Sequence, residues 1–224
     1  MNSKKSIGLF GGTFDPVHNG HLAIARQAAV EAELDKVLFI PAADPPHKSA
    51  PGASFWHRVA MLETVFERSV LADDRFALSL IEAELPFPSY TVDTLVEIKK
   101  RFFYPKCYFI IGADSLLDLH RWYRYQKLLS LTHLIVLSRP GISLLTMQNA
   151  INRLPSSFQS KKSDRHWLRA DGAEILLLLN RLEKDISSTM IRTELQQGRA
   201  PKEVDPRVHE YIVRPGITFL PENS

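Results

Sequence analysis

Short apolar runs recur along the chain at 7–10 (IGLF), 37–40 (VLFI), 76–81 (FALSLI), 108–111 (YFII), 134–137 (LIVL) and 175–179 (ILLLL). They are too short for helices and too uniformly apolar for strands with one wet face, so they predict buried strands of a parallel sheet. Between them the apolar spacing turns helical. Leu22, Ala25, Ala29 and Val30 fall on one stripe, and Phe55, Val59, Leu62 and Phe66 on another. Strands alternating with helices imply βαβ crossovers, and such sheets bind ligands beyond the carboxyl ends of their strands, where the strand order reverses. The loops that leave the runs are therefore where chemistry is expected: GGTFDP, PAADPPHK, PFPSYT, GADS and SRPG. The stretch 155–172 is polar, with Lys161, Lys162, Arg165 and Arg169, and reads as a solvated surface insertion within a single domain spanning 1–224.

With 224 residues, 45% of them hydrophobic, the chain can bury a full core without staples. Cys107 is its only cysteine, which rules out an intrachain disulfide and suits a reducing cytoplasm. The four-residue apolar stretch after Lys5 is too short for a signal-peptide core, and the run 175–179 is far below the roughly 20 residues of a membrane helix. A cytoplasmic protein with no membrane contact is expected. Lys and Arg exceed Asp and Glu by only 28 to 25, spread evenly, so no nucleic-acid-binding face is expected.

The loop GGTFDPVHNGH at 11–21 carries the densest chemistry. Gly11 and Gly12 let the backbone turn tightly and bring peptide N–H groups close to an anion. The Thr13 hydroxyl is a donor for a phosphate oxygen or a turn stabiliser, while Asp15 and Pro16 read as turn chemistry. His18 and His21 bracket the start of a helix, so both rings can face one ligand beside the helix amino terminus, with Gly20 keeping the approach open. A metal trio of Asp15, His18 and His21 is an alternative without a supporting motif. A second signal is DISSTMIR at 185–192, where Ser187, Ser188 and Thr189 open a helix and Arg192 lies one turn on, able to return to the same anion.

GTFDPVHNGH and ISSTMIR resemble the paired signatures of the HxGH nucleotidyltransferase superfamily. PPHK at 45–48, SYTVDTL at 89–95, IIGADSLLDLHRWYRY at 110–125 and LSRPG at 137–141 are similar to motifs of its nicotinate-nucleotide adenylyltransferase family. The resemblance spans nearly the whole chain and is weakest across 143–172. It implies a Rossmann-like, doubly wound parallel sheet with helices on both faces, and the reaction of ATP with nicotinate mononucleotide to give nicotinate adenine dinucleotide and pyrophosphate, with Mg2+. Carried over by motif, Gly11, Gly12, Thr13 and Phe14 would line the ATP site. His18 and His21 would contact its phosphates, and Ser188, Thr189 and Arg192 would hold the β- and γ-phosphates. Gly112 and Asp114 would meet the adenosine, with Arg139 near the adenine. Lys48, with His47, would face the phosphate region, and the nicotinate would be read by Thr91, Trp122 and Tyr123. His18, His21, Lys48 and Arg192 form the expected catalytic set; no protein-held metal is expected, and a homodimer is left open. Rival readings are adenylyltransferases for nicotinamide mononucleotide or phosphopantetheine, a regulatory nucleotide-binding module, and a zinc hydrolase on Asp15, His18 and His21.

Overall fold

A computed structural model describes residues 5–43, 51–68, 73–102, 104–155, 158–161, 163–180 and 186–214. Its strands are β1 (Ser6–Gly12), β2 (Lys36–Pro41), β3 (Phe76–Leu78), β4 (Lys106–Gly112), β5 (His133–Leu137), β6 (Gln159–Ser160), β7 (His166–Leu168) and β8 (Glu174–Leu178). Its helices are α1 (Asn19–Glu31), α2 (Phe55–Arg68), α3 (Thr91–Arg101), α4 (Ala113–Asp118), α5 (Tyr125–Leu131), α6 (Leu144–Asn152), α7 (Ser188–Gln196) and α8 (Pro206–Ile212). All eight strands form one sheet in the order β3-β2-β1-β4-β5-β8-β7-β6. Pairing is parallel from β3 through β8, and antiparallel from β8 to β7 and from β7 to β6. The chain winds outward from β1 to β3, then returns to start again at β4 on the other side of β1. The order thus reverses between β1 and β4, which opens a crevice at their carboxyl ends.

The two-residue period of a strand explains why the central runs are apolar throughout. Phe10, Val37, Phe39, Tyr108, Ile110, Ile135, Leu137 and Leu178 point to one face, where α1, α2, α7 and α8 cover them. Their neighbours Leu9, Leu38, Ile40, Cys107, Phe109, Ile111, Leu134, Val136, Ile175 and Leu177 point to the other, under α3 to α6. Helix starts carry ordinary caps: Ser143 accepts from the Thr146 N–H, Ser187 from Met190, and Asp205 from Arg207 with Pro206 following it.

Three expectations change. The run 76–81 is strand only over Phe76–Leu78, and Ile81 opens a single 3-10 turn, Ile81–Glu84. Val30 is 64% exposed, because helical rotation carries it past the edge of the stripe, which instead takes in Ile24 and Ala28. The polar stretch 155–172 contains the hairpin β6–β7 that extends the sheet. Phe158 and Trp167 are buried against the α3-to-α6 face, with Trp167 paired to Ile175, while residues 159–161 and 163–165 are exposed.

Candidate active site

The crevice is built around the start of α1. His18, at the N-cap in extended conformation, is 5% exposed, and its ring stacks on that of His21 at 3.7 Å between centroids. The His18 N–H donates to His21 Nδ1 at 3.3 Å. Acceptance at Nδ1 leaves Nε2 as the N–H of a neutral His21 ring. Behind it Phe14, itself buried with φ of 52°, meets the His21 ring edge to face at 5.0 Å. Burial, followed by the positive charge of Arg139, pulls the His18 pKa down to about 3, so its imidazole is neutral in the free protein. Its Nδ1 is buried with no hydrogen-bond partner among the described residues.

Gly20 makes this packing possible. A β-carbon there would lie 2.9 Å from His18 Nδ1 and 3.3 Å from Cβ of Ile186, so a methyl group would drive the ring out of place. The close approach of Ile186 also shows how α7 arrives beside α1. Ser188 Oγ donates to the Pro16 carbonyl at 3.1 Å, and Arg192 Nη1 donates to the Asp15 carbonyl at 2.9 Å. Arg192 Nη2 donates to Thr189 Oγ1 at 3.2 Å. The two sequence signatures are thus one structural unit: the amino termini of α1 and α7 converge beyond β1.

Across the switch point, the end of β4 supplies Gly112, the first turn of α4 Asp114, and the loop after β5 Arg139. Arg139 Nε lies 3.5 Å from Asp114 Oδ1. A β-carbon on Gly112 would run into the Asp114 carboxylate and come within 3.1 Å of Arg139 Nε, so glycine is needed for that close approach. Phe109 in β4 lies beside Gly11 on one side and meets Trp122 at 6.1 Å, edge to face, on the other. Tyr123, 43% exposed, packs its ring at 4.4 Å, tilted by 34°, on Tyr90, the residue that precedes Thr91 at the start of α3, and Arg124 covers its ring at 5.1 Å. This aromatic pair ties the start of α3, with Thr91, to the segment that carries Trp122 and Tyr123. His47 and Lys48 lie outside the described residues.

Sequence reasoning missed the buried charges that brace these loops. Arg58 in α2 is 1% exposed; its Nη1 donates to the Thr13 carbonyl at 2.8 Å and its Nε to the Ala53 carbonyl at 3.3 Å. Glu82 accepts from the Ala43 N–H at 3.1 Å, Ser89 Oγ at 3.2 Å and Thr94 Oγ1 at 2.9 Å. Burial pushes its carboxyl pKa up, while these donors and the Arg58 charge hold it down. A charge inside an apolar helix stripe and an acid inside the run LIEAEL were the available signals. Asp15, taken for a turn former, is 2% exposed and accepts from the N–H groups of Gly52 at 2.7 Å and Ala53 at 3.1 Å. Its oxygens are committed to those amides, which argues against its joining His18 and His21 as a metal trio. Among the described residues no group of three or more His, Cys, Asp or Glu is arranged to hold a metal ion.

A doubly wound sheet, two helix amino termini converging on a histidine pair, and an arginine beside them define a nucleotide-handling α/β protein. Residues 9–194 match the cytidylyltransferase-like family model. A relative from Gloeobacter violaceus, described as a probable nicotinate-nucleotide adenylyltransferase, is 37% identical over 97% of this chain and 98% of its own length. A relative of the same description from Carboxydothermus hydrogenoformans is 36% identical over 92% and 94%. The structure of Plasmodium falciparum nicotinic acid mononucleotide adenylyltransferase complexed with NaAD superposes with a TM-score of 0.72 over 94% of this chain and 95% of that one, at 19% identity. The chain belongs to the cytidylyltransferase-like family and, within it, to the nicotinate-nucleotide adenylyltransferases.

Proposed function

We propose that this protein transfers the adenylyl group of ATP to the phosphate of nicotinate mononucleotide, forming nicotinate adenine dinucleotide and pyrophosphate in NAD biosynthesis, as a single nucleotidyltransferase domain in the cytoplasm. The observation that supports the reading is the convergence of α1 and α7 at the switch point, where Ser188 and Arg192 bond to the carbonyls of Pro16 and Asp15 in the loop that carries the stacked His18 and His21. An oxygen of the mononucleotide phosphate attacks the α-phosphorus of ATP in line. The bond from that phosphorus to the bridging α,β-oxygen breaks, and pyrophosphate leaves with the electron pair. The attacking group is already anionic, so no protein base is needed. The chain's task is to orient the two nucleotides and stabilise charge.

In this reading the neutral imidazoles of His18 and His21 donate to the oxygens around the α-phosphorus, with Gly11, Gly12, Thr13 and Phe14 shaping the floor. Ser188, Thr189 and Arg192 hold the leaving pyrophosphate, joined by Lys48 and His47. Gly112, Asp114 and Arg139 hold the adenosine. Trp122 stacks on the pyridine ring, while Thr91 and the amides near Tyr123 receive its carboxylate, which separates the acid from its amide. A divalent ion, Mg2+ in this proposal, neutralises charge on the triphosphate. A hard cation that keeps its waters and binds mainly phosphate oxygens suits a crevice whose described residues offer no carboxylate cluster. Dinucleotide formation from ATP and Mg2+ with a panel of mononucleotides tests the assignment. Nicotinate mononucleotide is expected to give the highest kcat/KM, and a preference for the amide would overturn the acceptor.

A further inference from the structure

Asp15 is built into the molecule in a way that turn chemistry does not require. A turn-forming aspartate bonds to backbone two residues on and stays wet. Asp15 is 2% exposed, and its two carboxylate oxygens bond to the amides of Gly52 and Ala53, 37 and 38 residues away. On its other side stands Arg192, 177 residues away. Arg192 Nη1 lies 3.7 Å from Asp15 Oδ2 while donating to the carbonyl of the same residue at 2.9 Å. The Arg192 side chain is only 15% exposed. Asp15 therefore ties the β1 loop, the approach to α2 and the helix α7 together.

We propose that Asp15 is a positioning residue for phosphate capture: its carboxylate, fixed by the Gly52 and Ala53 amides, holds the Arg192 guanidinium in the register that receives the outer phosphates of ATP. The inference rests on the assignment of Arg192 to those phosphates. An anion beside a phosphate-binding arginine weakens its pull at long range, so Asp15 contributes by geometry. An arginine side chain has many rotamers, and one held in place by two oxygens loses little freedom when the phosphate arrives. Arg58 balances the charge from the opposite side: its guanidinium braces the Thr13 and Ala53 carbonyls and interacts favourably with the Asp15 carboxylate.

The test is a double-mutant cycle read in the two Michaelis constants. Asp15→Asn keeps the size of the side chain but turns an NH2 toward one of the amides and removes the charge. It is expected to raise KM for ATP about tenfold while KM for the mononucleotide changes less than about twofold. On an Arg192→Ala background the same substitution should change KM for ATP by less than about twofold, because its route of action has gone. Equal rises in both constants, or a full tenfold effect on the Arg192→Ala background, would overturn the proposal. Arg192→Ala with unchanged KM for ATP would instead remove the assignment of Arg192 beneath it. Asp15→Ser serves if Asp15→Asn does not fold, and failure of both to fold assigns Asp15 to the framework and overturns the proposal.

Discussion

Lowering the pH should unfold this protein partly through His18. The imidazole is almost fully buried beside His21, and burial together with Arg139 places its folded pKa at about 3, against 6.5 when free. Protonation is thus easier in the unfolded chain. A histidine with a depressed folded pKa contributes no penalty above pH 6.5, and stability falls as pH drops from there toward 3, because the unfolded state takes up the proton first. Between pH 7.5 and pH 5 the linkage relation gives a loss of about 2 kcal/mol from this one group. For a chain of this length that corresponds to roughly 4–8 °C in Tm. Urea unfolding of the wild type and of His18→Gln at the two pH values isolates the term, since His133, which burial also lowers, is common to both. The glutamine variant should lose about 2 kcal/mol less than the wild type over that interval. Parallel losses in the two proteins would refute the assignment of a buried, neutral His18.

Gly20→Ala places a methyl 2.9 Å from His18 Nδ1 and is expected to lower kcat by about 100-fold, the cost of one misplaced donor, with Tm held within a few degrees because alanine favours the helix. Steady-state pyrophosphate release measures it, and near-normal turnover would show that the ring position is not critical. Arg58→Met removes the counter-charge of Glu82 and Asp15 together with the bonds to the Thr13 and Ala53 carbonyls. It should cost about 3–5 kcal/mol in urea unfolding, and a loss below about 1 kcal/mol would contradict the bracing role.

The sheet was legible because strands buried on both faces need continuous apolar runs, and past their first residues, Ser6, Lys36, Lys106, His133 and Glu174, β1, β2, β4, β5 and β8 supply them. β6 and β7 were not, since a hairpin of two and three residues gives only Phe158, Trp167 and Leu168 as apolar marks amid polar neighbours. The loops carrying His18, Gly112 and Arg139 follow directly from the strand ends, so their meeting at one crevice is a consequence of topology. The partners of Arg58, Glu82 and Asp15 were hidden for the opposite reason. Each bonds to backbone in a distant segment, and backbone donors and acceptors carry no residue-type signature. The segment that starts at Thr91 is tied to the one carrying Trp122 and Tyr123 by a ring pair, Tyr90 with Tyr123, that the packing of α3 near α5 creates.

The two margins of the sheet bear on how copies of this chain can meet. β3 at one margin has three residues and β6 at the other has two, both of the latter exposed and polar. A neighbouring molecule adding a strand at either margin would find two or three rungs of backbone, too few to hold a continuous intermolecular sheet. Both margins therefore work as built-in stops against strand-by-strand polymerisation of the sheet.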